Sequence, residues 1–233
     1  MDFTLTTGSI NMIVSFEIIS EEYYNKYLSG PIWPQGASGI TIGIGYDLGY
    51  NSPKAITADW GDKVDDVSLQ KLISVSGITG RDAYNHLSQV KGVDIDLETA
   101  KDVFINRSLK NTCISTENAF PGVSECLQPD AVGALVSLVY NRGDAMSIKN
   151  DTRDSRLEMR AIRDIIKGID PHNITLDVIN AVYPGIADQI ESMKRLWDPV
   201  KMKGLLVRRD KEAALVRGAF RDYTDDEKVD ITW

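Results

Sequence analysis

Residues 16–50, FEIISEEYYNKYLSGPIWPQGASGITIGIGYDLGY, decide how this chain is read. The stretch opens on Glu17 inside an apolar run, Val14-Ser15-Phe16-Glu17-Ile18-Ile19. Burial of a carboxylate among such neighbours disfavours its charged form, so Glu17 is a candidate proton donor. The stretch closes on Gly39-Ile40-Thr41-Ile42-Gly43-Ile44-Gly45-Tyr46-Asp47-Leu48-Gly49. Its alternating glycines predict a short strand or hairpin whose backbone can be approached closely. One protonatable acid, one hydroxyl and a second carboxylate in that frame suggest hydrolysis by general acid–base catalysis. Plainer roles compete: Thr41 as a β-former and Asp47 as a turn residue. Gly43-x-Gly45 does not open a dinucleotide fingerprint, because Leu48 stands where the third glycine belongs. No G-x-x-x-x-G-K-[ST] phosphate loop occurs either.

Working outward, residues 1–11 read as an extended polar lead-in. Met12 to Tyr27 reads as one helix, with Ile13, Phe16, Ile19 and Tyr23 at helical spacing, ended by Gly30-Pro31. Residues 31–39 form a loop before the glycine-alternating segment. Beyond Asn51-Ser52-Pro53 the pattern is almost wholly helical: Asp66–Val75, a helix opened by the capping box Thr79-x-x-Asp82, another around Leu97–Phe104, and one starting at Pro129. That last helix ends at Asn141-Arg142-Gly143. Met146–Arg156 reads as a mobile loop. Arg160–Ile169, a stripe at Ile186, Ile190, Met193 and Trp197, and Lys211–Phe220 complete the helical part. Residues 224–233 read as a loosely attached acidic tail. The expected architecture is α+β, mostly α-helical: a single domain over residues 12–223, with a small N-terminal lobe carrying a short sheet and a larger helical lobe. The cleft between lobes is the default site.

Composition narrows the function classes. The 233 residues suffice for a sizeable core, and 42% hydrophobic with 26% charged residues is ordinary for a globular protein. A net charge of −8 and a pI near 4.9 argue against nucleic acid as partner, and against electrostatic adhesion to anionic membranes or wall polymers. Cys113 and Cys126 allow at most one disulfide and match no metal-ligand spacing. His86 and His172 are the whole histidine complement, both in polar settings, which starves a Ser-His-Asp or Cys-His site and makes zinc unexpected. No cofactor or metal is called for. Met1–Ile10 lacks a basic region followed by an apolar run, and no segment approaches the ~20 apolar residues of a membrane span. Synthesis in the cytoplasm without a signal peptide is expected.

Four segments, in order, resemble the phage-type lysozymes, muramidases like those of glycoside hydrolase family 24. Phe16-Glu17 resembles that family's element bearing the catalytic acid. Thr41-Ile42-Gly43-Ile44-Gly45 resembles its Thr-Ile-Gly-x-Gly strand. Ala134-Leu135-Val136-Ser137-Leu138-Val139-Tyr140-Asn141-Arg142-Gly143 resembles its Ala-Leu-Val-Ser helix, and Gly204-Leu205-Leu206-Val207-Arg208-Arg209-Asp210-Lys211-Glu212 its terminal arginine motif. The chain departs from the family in two places. No Asp lies between Glu17 and Thr41, and Tyr46-Asp47 stands where the family has His. Both departures are similar to pesticin-type muramidases, whose second carboxylate follows the strand six positions after the threonine. Asp47 fits, since 47 − 41 = 6.

The resemblance implies a lysozyme-like fold and inverting hydrolysis of the β-1,4 bond between N-acetylmuramic acid and N-acetylglucosamine in peptidoglycan. Glu17 would be the general acid, Asp47 would orient and deprotonate the water, and Thr41 would hold it. Glu21 and Glu22 compete for the acid role but sit in a polar Ser-Glu-Glu turn, where a solvated face is expected. Asn141 and Arg142 are candidates for sugar or stem-peptide contacts, against an equally open role in helix capping and ion pairing. Arg208 and Arg209 read as structural. The expected partners are glycan strands, plus an immunity protein should the chain be a toxin or effector; a monomer without stable membrane insertion is expected. The enzyme would act in the periplasm or wall after passage through a holin hole, in a phage particle or by a secretion system. Two other functions fit the same residues: a non-catalytic glycan-binding module on this fold, and a chitinase-like hydrolase.

Overall fold

The structure, a computed structural model, describes residues 2–148 and 153–232. Residues 149–152, inside the segment expected to be a mobile loop, lie outside the described residues. In chain order the elements are β1 (Asp2–Thr6), α1 (Thr7–Ile18), α2 (Glu21–Tyr27), β2 (Thr41–Ile42), β3 (Tyr46–Asp47), α3 (Pro53–Trp60), α4 (Asp66–Ser74), α5 (Gly80–His86) and α6 (Leu97–Val103). They continue with α7 (Lys110–Ala119), α8 (Val123–Cys126), α9 (Pro129–Arg142), α10 (Leu157–Lys167), α11 (Leu176–Ser192), α12 (Lys203–Arg217) and β4 (Lys228–Thr232). The described chain is mostly helical, with two antiparallel two-stranded sheets, β1–β4 and β2–β3. None of its helices is long and apolar enough to cross a membrane.

Two compact units divide the chain, Val14–Ser108 and Met1–Ile13 with Leu109–Trp233. The first is built around the β2–β3 hairpin. Ile40, Ile42, Ile44, Tyr46 and Leu48 are buried, and the Tyr46 ring meets Trp60 edge-on at 5.5 Å. Gly43 and Gly45, at φ +55° and +75°, make the turn, a backbone region open to glycine at little cost. A Cβ on Gly43 would also press on Trp60 and Ala100 at 3.2 and 3.3 Å. Below the hairpin, the Tyr24 hydroxyl donates to the Ile95 carbonyl at 3.0 Å. Burial first, then Asp96 and Asp94, pushes that phenol well above its usual range. Ser52, Asp65 and Asp96 cap α3, α4 and α6 through their side chains.

The expected single helix from Met12 to Tyr27 is two helices. α1 stops at Ile18 because Ile19 turns left-handed, φ +67°, and Ser20 then caps α2 by accepting from Tyr23 N at 3.1 Å. A β-branched residue in that conformation is strained, and Ile19 is 70% exposed, so little burial compensates. Ile19→Gly is expected to raise unfolding stability by up to about 1 kcal/mol, strain relief of about 1–2 kcal/mol less the entropy cost of glycine. Urea unfolding measures it; a loss of stability would show that the left-handed turn costs nothing here. Thr79 stands at the N-cap of α5 but makes no side-chain cap bond, contrary to the expected capping box; its backbone instead bridges Gly39.

The second unit centres on α9, which is buried along most of its length and lies against β1, α7 and α12. Of the residues expected as an extended lead-in and a loose tail, Asp2–Thr6 and Lys228–Thr232 form its sheet, while residues 7–11 begin α1. β1 pairs with β4 from Asp2↔Thr232 to Thr6↔Lys228, with Phe3, Leu5 and Ile231 buried. Composition suggested a solvated tail, but alternation in Lys228–Thr232 supplies an inward Ile231, and pairing satisfies the backbone. Asp130, accepting from the Thr6 hydroxyl at 2.6 Å and paired to Arg221, ties α9 to β1 and to the segment leading into β4. Cys113 and Cys126 are free and buried, and burial pushes the Cys113 thiol up to about 12.

Candidate active site

Thr41 and Asp47 stand directly opposite each other across β2 and β3. The Thr41 amide and carbonyl both bond to Ile32, at 2.8 and 2.9 Å, so towards β3 Thr41 occupies a non-hydrogen-bonded position. That is the type of pair in which facing side chains approach most closely, with Cα atoms about 4.5 Å apart. The juxtaposition is set by the turn. Two residues of strand, three of glycine-rich turn and two of strand bring positions six apart into register.

The Asp47 carboxylate is held by backbone amides. Gly39 N donates to both oxygens, at 3.1 and 3.0 Å, and Gly49 N donates to Oδ1 at 2.8 Å. The cradle requires glycine: a Cβ on Gly39 would lie 2.3 Å from Asp47 Oδ1. Asp47 thereby also caps the short 3-10 turn Leu48–Tyr50, the turn role open to it from sequence. An ionised carboxylate offers about four lone-pair sites, so Oδ2, with one shared donor, keeps capacity for a water. Thr41 is 9% exposed, and among the described residues its hydroxyl has no hydrogen-bond partner.

Glu17 sits half-buried on the last turn of α1, two residues before the strained Ile19. It lies in the same compact unit, Val14–Ser108, as Thr41 and Asp47. Glu21 and Glu22 are exposed in the first turn of α2, a solvated face as expected. Asn141 and Arg142 belong to the other unit. Asn141 is exposed, while the Arg142 guanidinium lies 5.1 Å from the Trp197 ring centre and donates to the Ser155 carbonyl. Burial pulls the Arg142 pKa down to about 10. Its side chain is thus engaged within its own unit, through a ring contact and a backbone carbonyl rather than the expected capping or ion pair.

Sequence reasoning missed the supports of the hairpin. The Tyr46 hydroxyl donates to Asp59 at 2.7 Å, and Asp59 lies 3.4 Å from Arg107 Nε. Burial, then this hydrogen bond, holds the Tyr46 phenol far above its usual range. Nothing in the spacing of residues 46, 59 and 107 signals this set. The Gly39–Asp47–Gly49 cradle was readable in part, since Asp-x-Gly is a common side-chain-to-backbone turn. Among the described residues no group of three His, Cys, Asp or Glu is arranged to hold a metal ion.

Residues 13–116 match a family described as a domain of unknown function (DUF8812). The match takes in Glu17, Thr41 and Asp47, nearly coincides with the compact unit Val14–Ser108, and spans less than half of the chain. None of the curated proteins matches this chain.

Proposed function

We propose that this chain is a peptidoglycan hydrolase, a muramidase on a lysozyme-like scaffold, cleaving the β-1,4 bond between N-acetylmuramic acid and N-acetylglucosamine with inversion. The observation that carries the reading is the cross-strand pairing of Thr41 with Asp47. It gives the Thr-Ile-Gly-Ile-Gly-Tyr-Asp segment a geometric purpose, one hydroxyl and one carboxylate facing each other on a rigid turn. Inversion needs an acid that protonates the leaving oxygen and a base that activates water on the opposite sugar face, with the carboxyl groups roughly 6.5–9.5 Å apart. Glu17 is the acid. Asp47 orients and deprotonates the water, whose position the Thr41 hydroxyl completes. The backbone cradle keeps Asp47 in one rotamer, which is how positioning contributes to rate.

The test is digestion of purified, de-stemmed peptidoglycan with mass spectrometry of the products. Reducing-end N-acetylmuramic acid is expected. Reducing-end N-acetylglucosamine would keep the hydrolase but change the bond, and intact glycan would overturn the reading.

The amide cradle also favours a second reading, in which Asp47 only builds the turn and the chain is a non-catalytic glycan-binding module. Cleavage by the parent chain separates the two, and Asp47→Asn then tests the base. The asparagine oxygen can still accept from Gly39 N and Gly49 N, but its amide group replaces the second acceptor of Gly39 N, so stability should fall by about 1–3 kcal/mol. Cleavage should fall by about 10²–10³-fold as the base is lost. An unchanged rate would remove Asp47 from the chemistry.

A further inference from the structure

The Val14–Ser108 unit holds a pocket of about 670 Å³ that the three candidate catalytic residues do not line. Its apolar lining includes Pro31, Leu87 and the buried Val90 and Val93. Tyr84 forms a wall, 48% exposed, with its ring held 5.3 Å from Trp33 and 4.6 Å from the Arg81 guanidinium. Asn85 and Ser88 add a side-chain amide and a hydroxyl, both exposed. The only charged residue of the lining is Lys91, so the chemistry suits a neutral ligand with one apolar face and several hydroxyl or amide groups. The size lies within the range of pockets that take small molecules.

The walls are braced. Ile95 N donates to the Ser29 carbonyl at 2.8 Å, and Lys71 Nζ donates to the Lys91 carbonyl at 3.0 Å. Both sides of the pocket also connect to the candidate hairpin. Ile32, next to Pro31, pairs with Thr41, and Gly80, at the start of the helix bearing Tyr84, donates to the Ser38 carbonyl at 2.9 Å. Ile32 faces Thr41 at one strand spacing, about 5 Å, so the Pro31 edge of the pocket adjoins the residue that pairs with Thr41.

We propose that this pocket is a subsite for an N-acetylated sugar of the glycan strand, next to the bond-cleaving residues. Tyr84 stacks on the C–H face of the ring, the acetamido methyl rests on Pro31 and Leu87, and Asn85 and Ser88 bond the polar edge. The inference rests on the glycan-hydrolase reading for its choice of sugar.

Chitotetraose is titrated into the Glu17→Gln chain by calorimetry, so that binding is read without turnover. Saturable binding is expected, weakened about tenfold or more, or 1.4 kcal/mol, by Tyr84→Ala and by Ser88→Trp, which fills the pocket from an exposed position. Tyr84→Phe should restore the affinity, which separates stacking from a folding defect. Unchanged binding in both Tyr84→Ala and Ser88→Trp, or no binding by the parent, would overturn the subsite. Cleavage by Glu17→Gln would instead strike the assigned acid, while loss of binding on Tyr84→Ala in that same chain would still uphold the subsite.

Discussion

Glu17→Gln is expected to lower peptidoglycan cleavage by about 10²–10⁴-fold, the range a general acid contributes, with the fold intact. Glutamine keeps the shape and the hydrogen-bonding reach of glutamate but has no proton to give the leaving oxygen. Glu17 is half-buried at the end of α1, so the exchange should move stability by less than about 1 kcal/mol. Glu21→Gln and Glu22→Gln are the matched controls, exposed in the first turn of α2, and both should retain wild-type rates. The measurement is the rate of release of reducing ends from de-stemmed glycan, alongside circular dichroism. Full activity in Glu17→Gln would sink the assignment, and loss in Glu21→Gln or Glu22→Gln would move the acid to α2.

The largest effect on stability is expected at Glu212. This carboxylate is fully buried in α12, 2.7 Å from Arg209 Nε and 3.3 Å from Arg208 Nε, and accepts from the Ser137 hydroxyl at 2.6 Å. Burial pushes Glu212 up and Arg209 down, each towards its neutral form, while their mutual attraction opposes both shifts. Removing the acid leaves two buried guanidinium groups without its charge. Glu212→Gln is therefore expected to cost about 3–5 kcal/mol, which for a chain this long lowers Tm by roughly 10 °C. Replacing all three charges, as Arg208→Met, Arg209→Met and Glu212→Leu, should recover most of that loss, because the desolvation penalty goes with them. A cost below about 1 kcal/mol for Glu212→Gln would show that the cluster is hydrated or already neutral.

These two positions show how differently the sequence exposed its contents. Arg208 and Arg209 were readable as structural from their motif alone, and both are buried. Nothing in the local sequence showed that they converge with Ser137 of α9, some seventy positions earlier, because that meeting depends on packing of α9 against α12. The helices were legible where apolar spacing was regular, as in α9, whose start at Pro129 follows from the fixed backbone of proline at a first helical position. Boundaries failed where tertiary demands overrode propensity. Ile19 carries no sequence mark of a helix end, yet its left-handed turn divides α1 from α2.

At the candidate site the division is sharper. The sequence marked a short strand or hairpin at Gly43 and Gly45, and the structure makes it a hairpin in which Thr41 faces Asp47. The sequence also marked the exposed place of Glu21 and Glu22. That Gly39 and Gly49 grip the Asp47 carboxylate, that Arg142 is engaged with Trp197 and Ser155, and that the acidic end is a strand paired to the first residues came from packing. The physical reason is range. Turn chemistry and strand periodicity act over a few residues and are written locally, whereas backbone cradles, buried charges and terminal strand pairs join positions whose proximity exists only once the core has formed.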